Sequence, residues 1–173
     1  MGDIFVTIQN SISSDGLWYP SISIFYSGCD KLIKCKDCHN PSLQKKGVGC
    51  QTNSNQLILD IERSLSFWLE VYEKISICYI GGEPFSKWNR QSVLNVSKYF
   101  KQKYNNKVCN IVYSWRYIED LKDLDNYLKY MDYGVLGEFQ TDMKDLNYIP
   151  SSSNQYIYDF KNKTKLQPIR KDT

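Results

Sequence analysis

The chain has 173 residues, of which 42% are apolar and 24% are charged, as in ordinary globular proteins. This length favours one domain with a single hydrophobic core. A net charge of +3 is too small to make nucleic acid the expected partner, and no apolar run approaches the roughly 20 residues that span a bilayer. No secretory leader is visible, so we expect a cytoplasmic protein whose cysteines are reduced or bind metal.

The hydrophobic pattern predicts strands that alternate with helices. In chain order, we predict strands at 3–9 and 21–27, a loop over 28–55, a helix from 53 or 54 to 72, a strand at 75–80, a helix at 89–104, a strand at 108–114, a helix from about 117 to 131, and strands at 133–136 and 155–160. Either Asn53 or Ser54 can cap the first helix.

This alternation is typical of parallel βα units. About three such units are present, too few for a closed eight-fold barrel of about 250 residues. An α/β fold with an open, partial barrel or a doubly wound sheet remains. Residues 1–160 are expected to form a single domain, and the basic residues from 161 to 173 a solvated, flexible tail.

Three of the six cysteines crowd into the predicted loop after the second strand. Five residues separate Cys29 from Cys35, and two separate Cys35 from Cys38. Three thiolates on flexible backbone can converge on one metal centre, and soft sulfur ligands select iron–sulfur clusters, zinc or copper(I). Structural zinc and plain electron-transfer clusters normally take four protein ligands, whereas three leave a metal position open. Taken alone, this group leaves iron–sulfur and zinc equally open, with His39 or Cys50 as a fourth zinc ligand.

The other cysteines carry less information. Cys78 and Cys109 lie inside apolar predicted strands, so we expect them to be small core residues. Cys50 lies in a Gly-rich loop and is interpreted as incidental.

A glycine pair ends the predicted strand at 75–80, in the motif Gly81-Gly82-Glu83-Pro84. A strand that ends in two glycines usually marks nothing more than a turn. Here, however, both this motif and the cysteine group follow predicted parallel strands. Because α/β sheets bind their ligands at the carboxyl ends of strands, the combination is a specific signal.

Together these motifs resemble the radical S-adenosylmethionine superfamily. Within it, the chain is similar to the small activating proteins of glycyl radical enzymes, above all those of anaerobic ribonucleotide reductase. The resemblance implies that Cys29, Cys35 and Cys38 hold a 4Fe–4S cluster whose fourth iron binds S-adenosylmethionine. It also implies that the turn at 81–84 binds the methionine amino group, since glycines permit a close backbone approach and Glu83 can accept from an ammonium. No catalytic residue beyond the cluster ligands is implied.

The carboxyl-terminal part narrows the resemblance to the reductase activases. A Gly-x-Phe at 137–139, an acidic-basic stretch at 142–146 and a Ser-Ser-Asn-Gln motif at 152–155 occur there at nearly the same spacing. We expect residues 137–155 to cover the open edge of the sheet and to help receive a glycyl radical enzyme.

Two departures from the family pattern affect the expected site. Five residues, instead of the usual three, separate the first two cysteines, so the loop must bulge, although loop length changes the closure cost only slowly. After the strand at 108–114, the usual Thr-Gly-Tyr is replaced by Ser114-Trp115-Arg116. The resemblance assigns Ser114 to the cofactor site. The position of Trp115 at a strand end suggests that it lines the nucleoside site.

The fold and activity that the resemblance implies are specific. The fold is an incomplete, open βα barrel with a largely parallel sheet. The enzyme is a radical S-adenosylmethionine oxidoreductase that cleaves its cofactor reductively to a 5′-deoxyadenosyl radical and installs a glycyl radical on anaerobic ribonucleoside-triphosphate reductase. A flavodoxin-type protein is the expected reductant, and neither nucleic acid nor a membrane is an expected partner.

Two alternatives remain open from the sequence. The same chemistry could act on another glycyl radical enzyme or on a small molecule. A non-enzymatic zinc-binding interaction module is the alternative from another class.

Overall fold

The computed structural model describes residues 4–171. Within that range the strands are β1 (Ile4–Ser13), β2 (Ser21–Tyr26), β3 (Cys50–Thr52), β4 (Ile75–Gly81), β5 (Val108–Ser114), β6 (Tyr133–Leu136), β7 (Tyr148–Ile149), β8 (Tyr156–Asp159), β9 (Thr164–Leu166) and β10 (Ile169–Arg170). The α-helices are α1 (Ser54–Trp68), α2 (Arg90–Tyr104) and α3 (Asp125–Leu128). No helix of the described part is long and apolar enough to cross a membrane.

One large sheet has the strand order β3-β1-β2-β4-β5-β6-β8-β9. Its centre is parallel, because β2 pairs with β4, β4 with β5, and β5 with β6 in the same direction. Antiparallel strands flank that centre, with β1 and β3 on one side and β8 and β9 on the other. The predicted α/β fold with a parallel sheet is thus confirmed at the centre, while the antiparallel flanks were not predicted.

The two long helices supply most of the apolar surface that covers the sheet. Helix α1 buries Leu57, Ile61 and Leu65, and α2 buries Val93 and Phe100 within the same core. A side-chain oxygen of Asn53 accepts hydrogen bonds from the first turn of α1, as predicted for a cap.

Cys78 and Cys109 are buried, with Ile80 and Ile111, in a second apolar cluster, as expected of core cysteines. Burial raises the pKa of both thiols.

The predicted helix at 117–131 is wrong in its type and length. Residues 118–124 form a 3-10 helix, and only the single turn of α3 follows it. Ile118, Leu121 and Leu124 recur every three residues, which matches the three-residue turn of a 3-10 helix. The alternation of strand and helix therefore survives, but its third helix is short.

The expected frayed tail is paired over part of its length. Strand β9 continues the sheet beyond β8, and β10 pairs with β7 in a separate two-stranded ribbon. Main-chain hydrogen bonds order these residues although their side chains are basic and largely exposed. Residues 1–3, where the first strand was predicted to begin, and 172–173 lie outside the described range.

Candidate functional site

The two motifs meet at the carboxyl ends of neighbouring parallel strands. The cysteine loop leaves β2, and the Gly-Gly-Glu-Pro turn leaves β4 beside it. The amide of Gly82 donates to the carbonyl of Tyr26 at 2.8 Å, and the amide of Glu83 donates to the carbonyl of Gly28 at 2.9 Å. The turn and the start of the cysteine loop are therefore one hydrogen-bonded unit.

Both motifs line one cavity of about 340 Å³. Cys35 and Cys38 lie on one side of it, and Gly81, Gly82 and Ser114 lie at the strand ends opposite. A second cavity of about 230 Å³ shares residues with the first, namely Asp15, His39, Tyr113, Val135, Phe139 and Gln155. The two form a continuous groove that runs from the cysteines towards residues 146–151.

The three cysteines of the loop are partly exposed, and Cys29 does not belong to the lining of that cavity. Burial raises the pKa of the Cys29 and Cys35 thiols, so both are protonated at neutral pH until a metal centre displaces the protons. Among residues 4–171, no group of three or more His, Cys, Asp or Glu side chains is arranged to hold a metal ion. Cys50 is exposed in β3, and the ring of His39 lies 4.1 Å from that of Phe139.

Close packing of the backbone explains both glycines of the turn. Gly81 has φ +110°, and a β-carbon there would lie 2.5 Å from the carbonyl oxygen of Tyr26. A β-carbon on Gly82 would lie 2.4 Å from the carbonyl oxygen of Leu43 and 2.6 Å from that of Gly28. The neighbouring strand and the cysteine loop thus require these glycines, a reason different from the expected close approach to a ligand.

Protein groups surround the carboxylate of Glu83, which is fully buried. The Ser114 hydroxyl donates to it at 2.9 Å and the Phe85 amide at 2.9 Å, with a longer contact from the Trp115 amide at 3.3 Å. Burial raises the pKa of Glu83 to about 7, although the Arg116 guanidinium and these hydrogen bonds act in the opposite direction. Glu83 and Ser114 are therefore hydrogen-bonded to each other. Neither side chain has the free polar group that its predicted role in cofactor binding requires.

Arg116 connects the cysteine loop to this carboxylate. Its Nη2 donates to Oδ2 of Asp30 at 2.8 Å, and its Nη1 forms an ion pair with Oε1 of Glu83 at 2.9 Å without hydrogen-bond geometry. Sequence reasoning noted Arg116 only as a departure from the family pattern and missed its role, together with that of Asp30. The sequence did offer one signal, a cation shortly after β5. Strand β5 lies beside β4, and β4 ends at the Gly-Gly turn.

Trp115 lines the cavity and carries a hydrogen-bond donor that no protein group among residues 4–171 accepts. Its indole Nε1 is buried and has no hydrogen-bond partner among residues 4–171. The guanidinium of Arg116 stacks over the ring at 4.5 Å, which holds the indole in place. A polar ligand in the cavity would satisfy this donor.

The Ser-Ser-Asn-Gln motif fixes the segment that follows β6. The Asn154 amide donates to the carbonyl of Glu138 at 2.8 Å, and the Gln155 amide donates to the carbonyl of Gly137 at 2.8 Å. Residues 137–155 connect β6 to β8, which is its neighbour in the sheet. They therefore begin beyond the carboxyl end of β6. The expectation that they cover the open edge of the sheet is wrong, because β8 and β9 continue the sheet there.

The family model of the 4Fe-4S single cluster domain matches residues 16–158, which is most of the chain. The chain belongs to the 4Fe-4S single cluster domain family. No curated protein matches it. Membership of the 4Fe-4S single cluster domain family supports a 4Fe-4S cluster as the cofactor and favours it over zinc.

The chemistry of the three thiols in the cysteine loop suits such a cluster, although residues 4–171 do not arrange them as a metal site. Three thiols on one partly exposed loop are soft ligands, and the cavity beside Cys35 and Cys38 offers space next to them. Cys29, Cys35 and Cys38 would hold three irons, and the cavity would hold the ligand of the fourth.

We predict that Arg116→Met lowers the free energy of unfolding by about 3 kcal/mol, because it leaves the buried carboxylate of Glu83 without its cation. Urea unfolding of the full chain measures this value. Arg63→Met is the matched control, since Arg63 is exposed and lies 3.7 Å from its partner Asp60. An Arg116→Met loss no larger than that of Arg63→Met would contradict the role of Arg116.

We also predict that Glu83 makes folding stability depend on pH. The pKa of Glu83 rises from its ordinary 4.5 to about 7 on folding, so its contribution to stability falls as the pH rises through that window. The shift corresponds to at most about 3 kcal/mol. The free energy of unfolding, measured between about pH 5 and 8, should fall with rising pH in the wild-type chain but not in Glu83→Gln.

Glu62→Gln is the control for this pH dependence. A hydrogen bond from Lys103 lowers the pKa of Glu62, so its titration lies below that window. A Glu83→Gln profile parallel to that of the wild type would show that Glu83 does not titrate there.

Proposed function

We propose that the chain is a radical S-adenosylmethionine enzyme that activates a glycyl radical enzyme, most specifically an anaerobic ribonucleotide reductase. One observation carries the proposal: the cysteine loop and the Gly-Gly-Glu-Pro turn are hydrogen-bonded together and line one cavity at the ends of parallel strands. The implied fold is an incomplete βα barrel, and the parallel strands β2, β4, β5 and β6 are its counterpart here.

The cofactor chemistry would come from the bound groups. When bound, a reduced 4Fe-4S cluster supplies the electron that cleaves S-adenosylmethionine to methionine and a 5′-deoxyadenosyl radical. Cys29, Cys35 and Cys38 would hold the cluster, and three protein ligands would leave one iron for the cofactor. The backbone of the turn at 81–84 would position the cofactor. The carboxylate of Glu83 contributes indirectly, by holding Ser114 and Arg116 in place. The indole Nε1 of Trp115 donates to a polar atom of the cofactor.

The groove beyond the cavity suits a macromolecular substrate. It continues past Phe139 and Gln155 towards residues 146–151, so a glycine-bearing loop of a partner can reach the cavity from that side. The hydrogen bonds of Asn154 and Gln155 hold residues 137 and 138 at the border of this path. Binding, orientation and exclusion of water would be the contribution of these residues.

We predict that Cys29→Ala, Cys35→Ala and Cys38→Ala each lose iron after anaerobic reconstitution with iron and sulfide, whereas Cys50→Ala retains it. Absorption near about 400 nm and iron and sulfide analysis report the cluster. With S-adenosylmethionine and dithionite, the wild type and Cys50→Ala should form 5′-deoxyadenosine, and the other three variants should not.

Three results would oppose this assignment. Zinc without sulfide in the purified chain would favour an interaction module. Loss of iron in Cys50→Ala would contradict three-cysteine ligation. A cluster without any 5′-deoxyadenosine would leave a 4Fe-4S protein of a different activity.

We predict that Asn154→Ala/Gln155→Ala reduces formation of the glycyl radical by about tenfold, because the border of the groove loses its two side-chain hydrogen bonds. Electron paramagnetic resonance of the chain mixed with an anaerobic ribonucleotide reductase measures the radical. Iron content and uncoupled 5′-deoxyadenosine formation should stay near those of the wild type. Ser153→Ala, at an exposed neighbouring position, is the control, and an equal radical signal in all three proteins would argue against docking here.

A further inference from the structure

The tip of the cysteine loop exposes two large apolar side chains. Leu32 is 95% exposed and Ile33 is 78% exposed, the highest values among large apolar residues of the described part. They lie between Cys29 and Cys35, where the loop is two residues longer than in the family pattern. Two adjacent, large apolar side chains at a loop tip favour contact with a partner, provided that other features of the surface agree.

Two lysines hold this tip, residues 30–34, in a defined conformation. The Lys31 ammonium donates to the carbonyl of Ile33 at 2.6 Å and pairs with Glu138 at 2.8 Å. The Lys34 ammonium donates to the carbonyl of Cys29 at 2.5 Å and to that of Lys31 at 2.8 Å. Because the tip is ordered from within, Leu32 and Ile33 can bind a partner at a reduced entropic cost.

The tip adjoins the route proposed for the glycyl radical enzyme, because its Lys31 pairs with Glu138 at the border of that route. Cys35 and Cys38 line the cavity, but residues 30–34 line neither it nor the groove that continues towards 146–151. A protein that contacts Leu32 and Ile33 would therefore lie beside the cluster ligands without filling the groove itself.

Cations without ion pairs lie near the base of the cysteine loop. The carbonyl of Gln44 accepts from the amide of Cys29 at 3.0 Å, which sets Lys45 and Lys46 beside the loop. Lys46 and Lys87 both lie over the ring of Trp88, at 6.0 and 5.7 Å. Within residues 4–171, Lys36, Lys45, Lys46 and Lys87 form no ion pair. An acidic surface with an apolar recess is complementary to this face.

We propose that the 30–34 tip, with the lysines near the base of the cysteine loop, is the docking site for an acidic one-electron carrier protein of the flavodoxin type. This inference rests on the proposed function and adds the surface through which the electron arrives. Leu32 and Ile33 lie within three residues of a cluster ligand, so a carrier seated there lies close to the cluster. The carrier would be oxidised by one electron and the cluster reduced by one, and no proton or group passes between the proteins.

Isothermal titration calorimetry of oxidised flavodoxin into the anaerobically reconstituted full chain tests the proposal. We expect binding that weakens with rising salt, and a Kd about tenfold higher or more for Leu32→Ser/Ile33→Ser. Lys45→Gln/Lys46→Gln, which leaves the cysteine loop unchanged, should also bind more weakly and depend less on salt. Iron content and dithionite-driven 5′-deoxyadenosine formation should match the wild type in both variants, since a small reductant needs no docking surface.

Leu59→Ser/Phe67→Ser is the matched control, because these exposed apolar residues lie on α1. Absence of binding by the wild-type chain, an unchanged Kd in the tip variant, or an equal loss in the α1 control would overturn the docking site. The proposed function fails separately, if the wild type forms no 5′-deoxyadenosine with dithionite. Tip-dependent flavodoxin binding would still support docking in that case.

Discussion

The guanidinium of Arg116 joins three of the segments that surround the cavity. It reaches Asp30 in the cysteine loop and Glu83 in the turn after β4, and Arg116 itself follows the end of β5. Burying the Glu83 carboxylate is costly, and a cation with several hydrogen-bond donors offsets that cost only where the geometry is good. The position of the cysteine loop relative to the strand ends therefore depends on this buried charge pair.

The turn after β4 is built by packing rather than shaped by a ligand. Both of its glycines are needed because main-chain atoms of β2 and the cysteine loop occupy the space of a side chain. Its carboxylate is already bound by Ser114 and Arg116. What remains for a ligand is the backbone of the strand ends and the unused indole donor of Trp115, so changes at Glu83 would act on a cofactor through the residues it positions.

The cysteine loop presents two different surfaces. Its Cys35 and Cys38 side faces the cavity, and its tip carries Leu32 and Ile33 into solvent. Hydrogen bonds from Lys31 and Lys34 hold the tip in its conformation. If the proposed function holds, the tip and the cavity would serve two different partners.

The sequence by itself determined the parallel centre of the sheet, the two long helices and the grouping of the cysteines with the Gly-Gly turn. Those features follow from local periodicity and from the rule that parallel strands carry ligands at their carboxyl ends. The antiparallel flanks, the 3-10 helix after Tyr117 and the pairing of the basic tail escaped prediction. Strand β3 pairs with β1, and β10 with β7, across segments distant in the chain, so local periodicity does not show these pairings. The 3-10 helix and the pairing of β9 with β8 are local features whose pattern was missed. Only the tertiary structure decided that Arg116 joins Asp30 to Glu83, since a charge pair that spans 86 residues leaves no trace in local spacing.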